Sequence, residues 1–172
     1  FDLSRRTNAS AFTKSFINKH QGPIPVYGAS KFADDAGYGY VEDNLEGVRY
    51  FENCLTWNID GSIGLFFRKG RFSLSEKVIP LVLREEHRNT LSLDFLRHVI
   101  LAAVMNNPFT VTSNGGKRKL GELVIHIPVD ERGVFSLGAQ ARIADQIQPL
   151  SGFNTAYEAA LEKLLQHRLQ PA

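Results

Sequence analysis

Residues 54–70, with the sequence CLTWNIDGSIGLFFRKG, decide how the rest of this chain is organised. Two apolar runs of β-forming residues, 55–59 and 63–67, flank the dipeptide Asp60-Gly61. Asp-Gly is a frequent hairpin turn, because glycine adopts a positive φ without steric cost. The stretch therefore predicts an antiparallel hairpin. Lys69-Gly70 predicts a second reversal of the chain, after which another β-strand begins at Arg71.

The composition indicates one domain with a sizeable core, since the chain has 172 residues and is 43% hydrophobic. The net charge is +2, which suits a nucleic-acid partner only if the cations cluster. A single cysteine, Cys54, lies in an apolar run, so we expect a core residue in a reducing compartment. The longest apolar run, residues 99–105, is too short to span a bilayer, and we expect no membrane association.

The chain before the hairpin predicts little regular structure. Residues 1–20 predict an extended segment with a short helix near residues 11–17. The segment GPIPVYGAS, residues 22–30, contains two prolines, which predict an edge strand or the entry to a strand. Residues 31–47 predict a loop, and a loop of this length in a compact domain usually has a function.

After the hairpin, residues 77–83 predict a strand bent at Pro80. Apolar residues then recur at helical spacing between residues 89 and 106, which predicts a largely buried helix. Residues 122–127 alternate as in a strand, and the chain is helical from residue 138, with a break near 149–152. The sequence thus predicts an α+β fold with a twisted mixed or barrel-like β-sheet, a buried helix and a C-terminal helical segment. We expect a domain over residues 1–137 and a helical spacer or partner-docking segment over 138–172.

No catalytic constellation emerges from the motifs. Residues 106–109, NNPF, resemble the adenine-pocket tetrapeptide of amino-methyltransferases, but the second residue is Asn107 where that motif has proline. Glu76-Lys77 lacks the residue that separates carboxylate and lysine in PD-(D/E)xK nucleases. The five histidines show no metal-ligand spacing, and no serine lies in a G-x-S-x-G turn. We expect no catalytic residues, no metal site and no cofactor in this chain.

Three segments combine cations with small polar residues, which suits contacts to DNA phosphates. An ordinary solvated loop is the alternative interpretation of each. The candidate DNA-binding residues are Ser30, Lys31, Ser62, Arg68, Lys69, Arg71, Ser113, Asn114, Lys117, Arg118 and Lys119. Arg84, Arg88 and Arg97 are interpreted as surface charges.

Five segments, in order, resemble the target recognition domain of type I restriction-modification specificity subunits, which also serves type IIG and BcgI-like enzymes. GPIPVYGAS with the following GYGYVED is similar to the opening of that family. LTWNIDGSIGLFFRKGRFSLSEKVIPLVL resembles its central meander, and LDFLRHVILAAVMNN its buried helix. SNGGKRKLGELVIHIP and QARIADQI resemble its late strand and the start of its spacer. The segment IPVDERGVFSLGAQ departs from the usual proline-rich stretch and is nearer the BcgI-like form.

This resemblance implies recognition of double-stranded DNA without catalysis. The domain would read one half of a bipartite site for an adenine-N6 methyltransferase subunit or domain, and that partner would hold S-adenosylmethionine. A second recognition domain or a nuclease subunit would complete the system. The expected location is the cytoplasm of a prokaryote. The chain would then be half of a longer subunit or the recognition end of a single-chain enzyme. Two alternatives stay open at this point: a methyltransferase or nuclease fragment with its own activity, and a protein-binding scaffold without DNA affinity.

Overall fold

The fold is of the α+β class and is built on a mixed five-stranded sheet. A computed structural model describes residues 1–5, 12–30, 36–59, 64–105 and 120–147. The strand order is β2-β1-β4-β3-β5, and β1 and β4 form the parallel pair among antiparallel neighbours. The strands are β1 Ile24–Tyr27, β2 Gly39–Val41, β3 Tyr50–Asn58, β4 Leu65–Leu74 and β5 Val78–Leu81, and the helices α1 Lys14–Lys19 and α2 Leu93–Met105 accompany them with a 3₁₀ turn, Glu85–His87.

The predicted hairpin is confirmed by the pairing of β3 with β4. The register runs from Trp57 opposite Leu65 to Tyr50 opposite Ser73, in antiparallel orientation. The turn itself, residues 60–63, lies outside the described residues. The pair forms the centre of the sheet, with β1 beside β4 and β5 beside β3.

The second reversal predicted at Lys69-Gly70 is wrong, because β4 continues through both residues. The register shifts there instead. Cys54 pairs with Arg68 and Glu52 pairs with Arg71, so one residue of β3 lies opposite two of β4. Gly70 has a φ of 71°, in the left-handed region that glycine tolerates. A glycine that resembles a turn residue in the sequence therefore forms a β-bulge, which keeps the strand in the sheet.

Two predictions about the first strands need correction. For the proline-containing strand β1 the predicted edge position is wrong, since β1 lies between β2 and β4, whereas the alternative of a strand entry holds, since Pro23 directly precedes the strand. It tolerates Pro25 because its ladder with β4 involves only Val26 and Tyr27. The predicted loop over 31–47 contains the short edge strand β2, which pairs with β1. Within the described residues the sheet is open, with β2 and β5 at its two edges, so it is not closed into a barrel.

The buried helix is confirmed as α2, which contacts β3 and β4. Its apolar side packs inward, and the side chains of Phe95, Leu96, Ile100 and Val104 are all at most 5% exposed. A separate apolar cluster gathers around the sheet strands and includes Phe51, Cys54, Phe72, Leu74 and Val78. The predicted strand at Pro80 is also confirmed: β5 occupies a sheet edge, where proline is tolerated.

The chain divides into two compact units, residues 1–126 and 127–172. The predicted boundary at residues 137 and 138 stays a prediction. In the second unit, Asp130 accepts hydrogen bonds from the backbone of Arg132 and Val134, each over 2.9 Å, and residues 137–147 are helical as expected.

The strand predicted for residues 122–127 is wrong within the described chain, because residues 122–127 join no ladder there. The burial of successive side chains does alternate, as the sequence pattern suggests: Leu123 and Ile125 are half-buried, while Val124 is 76% exposed. Alternating burial thus arises without a strand partner.

Candidate nucleic-acid interface

The structure describes four of the eleven residues predicted to contact DNA, namely Ser30, Arg68, Lys69 and Arg71. The other seven, Lys31, Ser62, Ser113, Asn114, Lys117, Arg118 and Lys119, lie outside the described residues. The three basic residues lie on β4 at the bulge, but the sheet gives each of them a different environment.

Arg68 lies inside the protein. The residue is 3% exposed. Its guanidinium carbon lies 3.8 Å from the ring centroid of Tyr27 and 4.9 Å from that of Phe66. A guanidinium stacks on aromatic faces because its charge is delocalised and weakly hydrated. A phosphate at the protein surface cannot reach it in this position. The placement favours a structural role for Arg68 over the predicted contact to DNA.

Lys69 and Arg71 flank Gly70 at the bulge, where Lys69 is exposed and Arg71 is half-buried. The bulge is held from the opposite strand, because the Asn53 side chain accepts a hydrogen bond from the Gly70 backbone over 2.9 Å. Asn53 itself has a φ of 45°. The two left-handed residues fix how the basic side chains leave the sheet.

The Arg71 side chain donates three hydrogen bonds beside the bulge. Nε donates to Oδ1 of Asp43 over 2.7 Å, Nη1 to Oε1 of Glu52 over 3.2 Å, and Nη2 to Oδ1 of Asn44 over 3.0 Å. Its guanidinium carbon lies 4.7 Å from the ring centroid of Tyr50. The hydrogen bonds to Asp43 and then to Glu52 raise the pKa of Arg71, so it is a cation at all working pH values.

The loop between β2 and β3 is tied to this arginine. The Tyr50 hydroxyl donates to the Glu42 carbonyl over 2.8 Å and accepts from the Leu45 backbone over 3.1 Å. Asn44, which bonds Arg71, has a φ of 58°. Part of the predicted loop over residues 31–47 is therefore held by hydrogen bonds beside the bulge.

An open cleft of about 760 Å³ lies beside the bulge, and Arg71 is one of the residues that line it. Two further arginines line it, Arg5 and Arg88, which bond Asp2 over 3.3 Å and Glu85 over 3.0 Å. The lining also includes the rings of Tyr50 and Phe67 and the acidic side chains of Glu52 and Asp94. The cleft thus offers guanidinium groups, aromatic faces and carboxylates, a set that suits nucleobase recognition better than simple attraction of phosphate.

Sequence reasoning missed most of this cleft. Arg5 and Arg88 are some eighty positions apart in sequence. Arg88 is exposed, as predicted for a surface charge, but the sequence does not predict that it lines a cleft with Arg5. Tyr50, Glu52 and Asn53 form part of an ordinary strand pattern and carry no motif. The one available signal was Asn53, since asparagine tolerates the left-handed conformation of a bulge.

Ser30 lies apart from the cleft. It is half-buried, and its carbonyl accepts a 2.8 Å hydrogen bond from Nδ2 of Asn58, at the end of β3 away from the bulge. Asn58 lies five positions along β3 from Asn53, a distance of about 16 Å at the usual rise per residue. The structure therefore does not bring Ser30 together with Lys69 and Arg71.

Cys54 is buried, as predicted, and is 2% exposed. Burial raises the pKa of its thiol to about 12, which makes it a poor nucleophile. Across the described ranges there is no group of three or more His, Cys, Asp or Glu side chains that could hold a metal ion. Nor does any helix in those ranges combine the length and apolar character needed to cross a membrane.

Comparison of the chain with protein-family models, with curated proteins and with solved structures found no match.

Proposed function

We propose that this chain is a non-catalytic recognition domain for double-stranded DNA. It directs an adenine-N6 methyltransferase, and in a complete restriction-modification system a nuclease, to one half of a target site. S-adenosylmethionine belongs to the partner methyltransferase, a second recognition domain reads the other half-site, and the assembly works in a prokaryotic cytoplasm.

The observation that carries this proposal is the bulge in β4. It presents exposed Lys69 and half-exposed Arg71 next to an open cleft that also contains Arg5 and Arg88. An exposed cation suits contacts to the DNA phosphates, which position the protein on the duplex. Hydrogen-bonding side chains beside aromatic rings suit readout of bases. The five family-like segments support the same function, and the mixed α+β sheet is consistent with it.

Binding of duplex DNA by the full 172-residue chain tests the proposal. We expect fluorescence anisotropy with a labelled duplex to give a dissociation constant that rises steeply with salt. Replacing Lys69 with alanine should weaken binding to all duplexes alike and reduce the salt slope by about 1. Lys14→Ala is the matched control, because Lys14 is an exposed lysine on α1, remote in sequence from the bulge.

The basic segment 117–119 provides a second arm of the same experiment. Neutralising Lys117, Arg118 and Lys119 together should weaken binding about equally for all sequences and flatten the salt dependence. A triple variant that binds like the parent at every salt concentration would remove this segment from the interface.

The rival functions give different results. Methyl transfer from S-adenosylmethionine to DNA by the isolated chain, or DNA cleavage with a divalent metal, would overturn the non-catalytic part of the proposal. Absence of DNA binding at low salt would favour a protein-binding scaffold. If recognition is confirmed, mapping methylated adenines in the host genome would identify the target sequence.

A further inference from the structure

The orientation of Arg71 is fixed from three directions. Three of its five N–H groups donate to Asp43, Asn44 and Glu52, which belong to the β2–β3 loop and to β3. The stack on Tyr50 fixes the plane of the guanidinium. One N–H remains on each of Nη1 and Nη2, so the planar guanidinium fork of Arg71 retains two donors, and Arg71 lines the open cleft.

The neighbours of this fork decide which acceptor it suits. A DNA phosphate at the two remaining donors would lie close to the carboxylates of Asp43 and Glu52, which already bond the same guanidinium. Those like charges repel it, and the arginine charge is already balanced by them. A neutral acceptor meets no such repulsion. Two neutral acceptors side by side, O6 and N7 of guanine, match a guanidinium fork.

Lys69 provides the contrast within the same bulge. It is exposed, and a lysine ammonium acts as a point charge that binds phosphate without a fixed geometry. Lys69 and Arg71 are thus suited to different partners, although the sequence presents them as one basic cluster.

We propose that Arg71 is a specificity-determining residue that reads a guanine through its two remaining N–H groups. Asp43, Asn44 and Glu52 are its positioning residues. This assignment rests on the proposed DNA-recognition function and deepens it, because it names the base that the site selects.

The test is selection of a randomised 20-base-pair duplex library by the full chain, followed by salt-dependent affinities for the selected duplex. The motif selected by the parent should contain a guanine that Arg71→Lys no longer prefers, with a loss of discrimination of about ten- to a hundredfold. Its salt slope should stay that of the parent, because lysine keeps the charge. Lys69→Ala should do the reverse, reducing the slope by about 1 and keeping the motif.

Glu52→Gln is a second, milder variant that decides the matter if Arg71→Lys does not fold. It removes one repulsive carboxylate and one charged anchor, so we expect a weaker guanine preference together with tighter binding to unselected duplexes. An unchanged motif and an unchanged affinity for unselected duplexes would overturn the inference. Circular dichroism of each variant establishes that it is folded before binding is compared.

Failure of the inference is distinguishable from failure of the proposed function. A parent chain that binds no duplex overturns both. A parent that selects a motif which Arg71→Lys retains, or a motif without guanine, overturns the role of Arg71 alone and leaves DNA recognition standing.

Discussion

The backbone N–H of Gly70 donates to Oδ1 of Asn53 over 2.9 Å, and each of these residues has a left-handed backbone, with φ values of 71° and 45°. They face each other across the two longest strands of the sheet. Phe51 and Cys54, three residues apart on β3, share one apolar cluster, whereas strict alternation would place them on opposite faces. The bulge therefore resets the alternation, and with it the face from which Glu52 and Tyr50 extend.

Gly70→Ala should destabilise the fold by about 1–2 kcal/mol, because an alanine at a positive φ is strained. A Cβ at Gly70 meets no atom within 4 Å, so the cost comes from the backbone alone. Gly70→Asn should cost less, since asparagine tolerates this conformation. Urea unfolding of the two variants measures the difference, and equal losses for both would contradict the assignment of strain.

Arg68→Lys should destabilise the protein by about 1–2 kcal/mol, since a strongly hydrated ammonium cannot replace the stack on Tyr27 and Phe66. Arg68→Met should be tolerated better, because an apolar side chain of similar length needs no solvation. Lys69→Ala, at the adjacent exposed position, should stay within about 0.5 kcal/mol of the parent. Thermal unfolding orders the three variants. A larger loss for Arg68→Met than for Arg68→Lys would show that the charge itself is needed.

Gly22→Ala should cost about 2–3 kcal/mol, a steric penalty typical of a buried overlap. Its Cβ would lie 2.4 Å from the Cα of Glu42 and 2.7 Å from the carbonyl carbon of Val41, so the end of β2 would have to move. Gly121→Ala is the control, because its nearest contact is a flexible Leu3 side chain at 3.7 Å. Comparison of denaturant midpoints tests this; a Gly22→Ala variant as stable as Gly121→Ala would mean that β2 yields without cost.

Cys54 should resist thiol reagents in the native state at pH 8 and react fully in denaturant, because burial raises the pKa of its thiol from 9.0 to about 12. The folded protein holds this proton more tightly than the unfolded chain does. The thiol therefore contributes stability below pH 9.0 that is lost as the pH rises toward about 12. Cys54→Ala should remove that part of the alkaline decline in stability. An identical decline in the parent and the variant would assign it to other groups.

Local signals in the sequence were sufficient for several elements. The hairpin of β3 and β4 follows from two apolar runs around Asp60-Gly61, and helix α2 follows from apolar residues at a period of 3.6. The core position of Cys54 follows from its apolar surroundings. These features depend on residues that are close together in the chain, so the sequence is sufficient to predict them.

The sequence does not predict the environments of the three basic residues on β4, namely Arg68, Lys69 and Arg71. As a string they form one basic cluster around a glycine, and they predict an exposed reversal. In the sheet, Arg68 stacks inside on two aromatic rings, Lys69 is exposed, and Arg71 is held by Asp43 and Glu52. Local sequence determined that a strand and a glycine lie here. Only the tertiary structure decided that the glycine forms a bulge, because the opposing Asn53 and the register of β3 set the direction of each side chain.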